Sequence, residues 1–223
     1  MLLFLTKRLF KITGCRCLIK QAITEFVNGI TSEQGGKIEV TVNKTKVSII
    51  QGDITKQATE AIVNAANSSL MGGGGVDGAI HQDGGPAILE ECKKIVAQQG
   101  RLPTGKAVIT TGGNLQAQYV IHTVGPIWHG GSRNEAELLG SAYYECLKLA
   151  TENKLASISF PSISTGAYGY PVDEAAKIAV STVVSFLKEQ ATSLKDVVFV
   201  LFDSRTYQSY HSSLQVYTNR LET

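Results

Sequence analysis

An apolar run from Ala61 to Asn64 passes straight into Asn64-Ala-Ala-Asn67-Ser-Ser-Leu-Met-Gly72-Gly73-Gly74-Gly75-Val76-Asp77-Gly78-Ala79-Ile80-His81. Four successive glycines leave backbone amides uncovered and free to take positive φ, which suits wrapping an anion. A helix predicted to begin near Val76 adds its N-terminal amides and dipole to the same place, so a diphosphate is the favoured guest. Asp77 stands among these amides, where a carboxylate repels the ligand it helps to surround unless it has a task. A neighbouring anion raises its pKa and makes it a better proton acceptor, as a general base requires. Spacing alone keeps a second reading open, an acid in a first helical turn that complements the dipole. His81 falls one turn later on the same face; a catalytic partner and a hydrogen-bonded structural histidine are both open, because i, i+4 pairs meet routinely.

A second loop, Ser162-Ile163-Ser164-Thr165-Gly166-Ala167-Tyr168-Gly169-Tyr170-Pro171, follows the apolar run Ser157 to Phe160. Its hydroxyls, glycines and helix start offer another anion cradle. Tyr168 at its tip can cover a sugar or a base, or fold back on the core. Asp53, in Gly52-Asp53-Ile54-Thr55, can accept from an exocyclic amine or cap a turn, and Phe202 can stack on a base or fill the core.

Other chemistries find little support. Gly73, Gly75 and Gly78 satisfy GxGxxG, the mark of a dinucleotide-binding domain, but that fingerprint places an acid at a strand end about 20 residues on. Here Glu90 and Glu91 fall inside a predicted helix, and no Gly-Lys-Ser/Thr follows the glycines as a P-loop needs. His81, His122, His129 and His211 lack HExxH spacing, Cys92 and Cys146 sit on apolar helical stripes, and no GxSxG elbow occurs. No metal and no cofactor are expected.

Positioning these loops requires an alternation of strands and helices. Candidate strands are Lys37 to Val42, Val47 to Ile50, Ala61 to Asn64, Ala107 to Thr110, Tyr119 to Val124, Ser157 to Phe160 and Val197 to Phe202. Several are continuous apolar runs, as in strands buried on both faces. Leu139, Ala142, Tyr143, Cys146, Leu147 and Ala150 form one helical stripe, and Ala176, Ala179, Val180, Val183, Val184 and Leu187 repeat its offsets behind Pro171. A further helix opens at Pro86 and is expected to bury Ile88, Leu89, Cys92, Ile95 and Val96. The pattern predicts an α/β fold, a three-layer α/β/α sandwich.

The chain has 223 residues, 43% of them hydrophobic, room for one substantial core. A Gly-rich break at Ser32 to Gly36 divides it into an N-terminal leader, 1–36, and one domain, 37–223. Five of the 21 basic residues lie before the first acid, Glu25, so the body carries slightly more acidic than basic groups. That balance argues against nucleic acid as a partner. Basic residues interrupt the leader too often for the ~20 apolar residues of a membrane span, so no membrane partner is expected either. An organellar transit peptide and a helix packed on the domain are the two readings of the leader. Cys15, Cys17, Cys92 and Cys146 make no disulfide framework, so reduced thiols and an intracellular, cytoplasmic monomer are expected, with a mitochondrial location as the alternative.

GDIT, NAANSSLMGGGGVDGAIH, YVIHTVGP and STGAYGYP, in that order, closely resemble the macrodomain family and its MacroD-type branch, over roughly residues 46–217. The resemblance implies a mixed central sheet flanked by helices, with ADP-ribose across its crest. It implies that Asp53 accepts from the adenine amino group, that Ile54 supplies a backbone donor and that Phe202 stacks on the adenine. Gly73, Gly74, Gly75, Val76 and Gly78 form one diphosphate loop in this reading, and Ser164, Thr165, Gly166, Ala167 and Tyr168 the other. Asn64, Asn67, Asp77 and Tyr168 surround the distal ribose. The branch removes ADP-ribose from Glu and Asp side chains of mono-ADP-ribosylated proteins and deacetylates O-acetyl-ADP-ribose, both ester hydrolyses at that ribose. The catalytic set it implies is Asp77, which activates a water with help from a ligand phosphate, Asn67, which fixes the ribose, and His81, which supports Asp77. Asp83 departs from the family's more usual residues after the histidine and places an acid near the anion site. A non-catalytic reader of ADP-ribosylated proteins is the alternative function; it gains nothing from a carboxylate beside the diphosphate, whereas a hydrolase uses it.

Overall fold

The computed structural model describes residues 38–221, with side chains to 217. The leader 1–36, its expected helix or transit segment, and Cys15 and Cys17 lie outside the described residues. Seven strands make one sheet: Ile38–Val42 (β1), Thr45–Gln51 (β2), Ala61–Ala65 (β3), Ala107–Thr111 (β4), Tyr119–Thr123 (β5), Ser157–Phe160 (β6) and Asp196–Leu201 (β7). Each coincides with a predicted strand to within one or two residues at its ends. The order is β1-β2-β7-β6-β3-β5-β4, with β2, β7, β6, β3 and β5 parallel and the two edge strands antiparallel. The sheet is therefore mixed. Asn43 lets β1 turn back on β2 by taking a left-handed φ of 54°, a conformation asparagine tolerates.

Five helices cover the two faces: Gly75–Gly84 (α1), Pro86–Gln99 (α2), Glu135–Glu152 (α3), Val172–Glu189 (α4) and Ser204–Leu221 (α5), with a single 3₁₀ turn at Ile54–Lys56. Alternate strand positions feed different cores: Ala61, Val63, Val197 and Phe199 pack with α3, α4 and α5, whereas Ile62, Val120 and Val200 pack with α1 and α2. Burial on both sides is why these strands read as unbroken apolar runs. The predicted stripes of α3 and α4 are buried throughout. In α2 only Ile88 and Cys92 are fully buried; Leu89, Ile95 and Val96 are half-buried, a correction that follows from its place over the edge strand β4, where little lies beyond it.

Sequence reasoning passed over α5, half of whose 18 residues are Ser, Gln or Tyr. Its signals are a cap and a narrow stripe. Asp203 accepts hydrogen bonds from the Thr206 amide and hydroxyl, while Tyr207, Tyr210 and Leu214 fill the core. The Tyr210 and Tyr143 hydroxyls lie 2.9 Å apart; Tyr143 Oη accepts from the Ile163 amide and Tyr210 Oη donates to Ser162 Oγ. Two helices thereby fix the loop after β6.

Because five neighbouring strands run parallel, the segments after β2, β3, β5, β6 and β7 all leave the same edge of the sheet, where open α/β sheets place their ligands.

Candidate functional site

A cleft of about 780 Å³ opens on that edge, lined by residues following each of the five parallel strands. Among the described residues no Lys, Arg or His lines it, while Asp53, Asp77 and Asp203 do. An anion held here is therefore held by backbone amides rather than by cations.

The first wall is the glycine loop. Gly73, Gly74, Gly75 and Val76 line the cleft, and α1 begins at Gly75 with Gly74 as an N-cap that contributes no side-chain bond. The first-turn amides of α1 are thus left for a ligand. Gly78 is placed differently from its expected ligand role. It does not line the cleft, and a Cβ there would stand 2.6 Å from the Gly73 carbonyl oxygen. Its lack of a side chain lets α1 lie against the loop.

The second wall is Ser162 to Tyr168, including all five expected residues Ser164, Thr165, Gly166, Ala167 and Tyr168. Ser164 is buried with φ 69°, an uncommon conformation for a non-glycine residue, and its Oγ has no hydrogen-bond partner. Thr165 Oγ1 donates to Ser162 Oγ. Tyr168 is half-buried on the cleft, not folded into the core, and its carbonyl accepts from Trp128. Gly125, just after β5, was missed by sequence reasoning. It lines the cleft, and a Cβ there would meet Ser164 Oγ at 2.1 Å, so it admits the second loop to the crest. Its signal was a glycine directly behind a strand.

At the far end, Phe202 is 85% exposed at the cleft, so its ring does not fill the core. Asp53 is a turn cap that also faces the cleft. Its Oδ1 accepts from the amide and hydroxyl of Thr55, capping the 3₁₀ turn, and it still lines the cleft beside the buried Ile54.

Asp77 is the centre of the site, lining the cleft while only 4% exposed. Asn64 Nδ2 donates to its Oδ1 at 2.7 Å, and His81 Nε2 lies 3.4 Å from the same oxygen. Oδ2 receives only a long 3.5 Å contact from Asn67 Nδ2. Burial pushes the Asp77 carboxyl above its ordinary pKa, against the opposing pull of the Asn64 hydrogen bond and of His81. Asn67 lines the cleft and braces the loop: its Oδ1 accepts from the amide and hydroxyl of Ser69 and its Nδ2 donates to the Gly72 carbonyl.

Asn64 and His81 do not line the cleft; they stand behind Asp77 and hold it. Asn64 is fully buried because it ends a central strand. The expected contact of Asn64 with the ribose is accordingly replaced by a hold on the carboxylate. Asp83 is also away from the cleft, and Lys56 Nζ pairs with it at 2.6 Å, which offsets the charge that marked it as a departure.

Among the described residues, His81, Cys92 and His122 offer ligand-type atoms within 4.8 Å of one another. Both His122 nitrogens are already engaged, with Asn64 Nδ2 at 3.0 Å and Thr110 Oγ1 at 2.9 Å. Hydrogen bonds thus occupy His122, while His81 Nε2 faces Asp77. Burial raises the Cys92 thiol to about 11, so it is an unreactive core thiol. No described helix is long and apolar enough to cross a membrane.

The family profile described as Macro domain matches residues 63–179. A protein of Citrobacter koseri named O-acetyl-ADP-ribose deacetylase is 53% identical over 171 residues, 77% of this chain and 96% of that protein. Among solved structures, an Oceanobacillus iheyensis macrodomain with ADP is 45% identical with a TM-score of 0.79, covering 82% of this chain and 97% of that one. A Trypanosoma brucei macrodomain in complex with ADP-ribose is 39% identical with a TM-score of 0.69, covering 75% and 68%. A sheet crest with two amide-rich loops around one buried carboxylate, together with these likenesses, makes the chain a member of the macrodomain family.

Proposed function

We propose that this protein hydrolyses the ester bond at the distal ribose of ADP-ribose adducts, both O-acetyl-ADP-ribose and proteins mono-ADP-ribosylated on Glu or Asp, releasing ADP-ribose. The observation that carries the proposal is Asp77, a buried carboxylate set between two amide-lined loops that no cation attends. The name of the Citrobacter koseri relative and the nucleotide in the Trypanosoma brucei structure support the same substrate class.

In this reading the adenine lies between Asp53 and Phe202, the diphosphate between the two loops and the distal ribose near Asn67, Asp77 and Tyr168. Water attacks the ester carbonyl, and its proton passes to Oδ2 of Asp77, the oxygen with the fewest protein contacts, with the adjacent ligand phosphate raising that oxygen's basicity. The ribose oxygen leaves as a hydroxyl on taking the proton back, and the acyl group departs as acetate or as the freed side-chain carboxylate. Incubating the protein with O-acetyl-ADP-ribose and, separately, with a protein mono-ADP-ribosylated on Glu tests this directly. Release of ADP-ribose is expected from both. Tight binding of ADP-ribose with no release from either would leave a reader module instead.

The pH dependence has a definite sign. The base works ionised, so kcat/KM is full above the Asp77 pKa and falls as pH drops through it. Because burial raises that pKa, the acid limb is expected above the ~3.9 of an ordinary aspartate. A profile flat down to the ordinary carboxylate range would contradict the assignment. For the adenine, Phe202→Ala is expected to weaken ADP-ribose binding about tenfold, toward the low end of base stacking, by calorimetry. Its melting temperature should barely move, because the ring is exposed.

A further inference from the structure

We propose that His122 is a positioning residue for the Asp77 carboxylate: it fixes which way the Asn64 amide is turned, and the amide so fixed holds the general base. The inference rests on the hydrolase reading above and adds a residue that lies outside the cleft.

The polarity of the network follows from its end points. Asp77 is acceptor-only when ionised, so the group facing Oδ1 at 2.7 Å is the Asn64 NH₂, not its carbonyl. That NH₂ has a second hydrogen, and the partner at 3.0 Å is His122 Nδ1, which must therefore be the bare, accepting nitrogen. The imidazole proton is then on Nε2, where it donates to Thr110 Oγ1 at 2.9 Å, and Thr110 passes its own hydrogen to the Thr111 carbonyl. Every donor in this line has one acceptor. With His122 held in this tautomer by Thr110, turning the Asn64 amide over would set its oxygen against both the Asp77 carboxylate and the bare His122 Nδ1, two repulsions at once. An apolar side chain at 122 would remove one of them.

Burial also suits His122 to this work. It is fully buried, and desolvation, aided by His81, pushes its pKa down to about 3, so it keeps a bare nitrogen at any working pH. Asn64 and Asp77 come from β3 and α1, thirteen residues apart, and His122 comes from β5, whose register sets it directly beside Asn64. The sheet itself therefore aims the base. The Cys92 thiol, 3.8 Å from Nε2, and the His81 ring, 6.0 Å away between centroids, are the remaining polar neighbours.

His122→Leu and His122→Asn separate positioning from packing. Leucine fills the buried space better, while asparagine can restore an acceptor close to the place of Nδ1. We expect His122→Leu to lower kcat about 10- to 100-fold, the scale of a misplaced catalytic group, with ADP-ribose affinity unchanged. His122→Asn should turn over about tenfold faster than His122→Leu despite its poorer packing. Equal rates in the two variants, or a leucine variant as fast as the parent, would overturn the proposal. A second arm needs no turnover. In ¹⁵N-labelled parent, His122 should show the Nε2–H tautomer unchanged between about pH 5 and 8, and the Asn64 side-chain amide should be protected from exchange in the parent but not in His122→Leu. An Nδ1–H tautomer would overturn the proposal even in an active enzyme. A parent that binds ADP-ribose but releases none, yet shows these signals, would sink the hydrolase reading while leaving the His122–Asn64 lock in place.

Discussion

Asp77→Ala is expected to lose about 10²- to 10⁴-fold in turnover on either ester substrate, the usual worth of a positioned general base, while still binding ADP-ribose. The two effects part company because they belong to different groups. In the proposed binding mode affinity arises from the amides of the two loops and from Phe202, none of which the substitution removes. Removing a carboxylate beside a diphosphate also relieves repulsion, so affinity is expected to be equal or higher. Turnover depends on a proton acceptor that alanine lacks. The change costs little folding stability, since it deletes a buried charge whose desolvation opposes folding at neutral pH. It does leave one Asn64 hydrogen without its acceptor. Calorimetry with ADP-ribose alongside a time course of ADP-ribose release reads both quantities from one preparation. Parent-like turnover would remove Asp77 from the mechanism. Lost binding with lost turnover would make it a structural support of the loop.

The contrast between what the sequence made legible and what it hid follows the range of the interactions. The central strands were readable because helices bury them on two sides, and β1 because its inward face carries Val40 and Val42, so local composition reports the burial. Both ligand loops were readable because glycines and hydroxyls cluster within a few residues. Asp53 and Phe202 each carried two readings that no local pattern could separate. Only the position of β2 beside β7 puts them at one end of the same cleft. The family resemblance puts Asn64 at the ribose, yet its side chain is committed to partners thirteen and fifty-eight residues away. His122 was weighed only for metal-ligand spacing, which is silent about a neutral imidazole inside a sheet. Gly78 shows the same limit from the other side. The family resemblance sets it in a diphosphate loop, whereas the structure uses it to bring backbone against backbone.

That use of Gly78 makes Gly78→Ala a sharp test of how the first loop is held. Helix propensity alone favours alanine within a helix by about 1 kcal/mol. Against this, the new Cβ would stand 2.6 Å from the Gly73 carbonyl oxygen, a backbone atom that cannot rotate away, and overpacking of this kind costs about 1–3 kcal/mol. The two terms oppose each other in stability and leave a net cost of about 0–2 kcal/mol, so the melting temperature should fall by less than about 10 °C. They do not offset each other in function. The only relief is for α1 to move off the loop, which carries Asp77, one residue away, and the first-turn amides out of register with Gly73 to Gly75. ADP-ribose affinity is therefore expected to drop on the order of 100-fold, equivalent to about 3 kcal/mol. Gly74→Ala is the matched control for folding, because a Cβ there meets nothing within 4 Å and φ is −98°. Gly78→Ala with parent-like affinity would mean that the loop follows the helix as one body, and that α1 and the glycines need no close contact to grip the diphosphate.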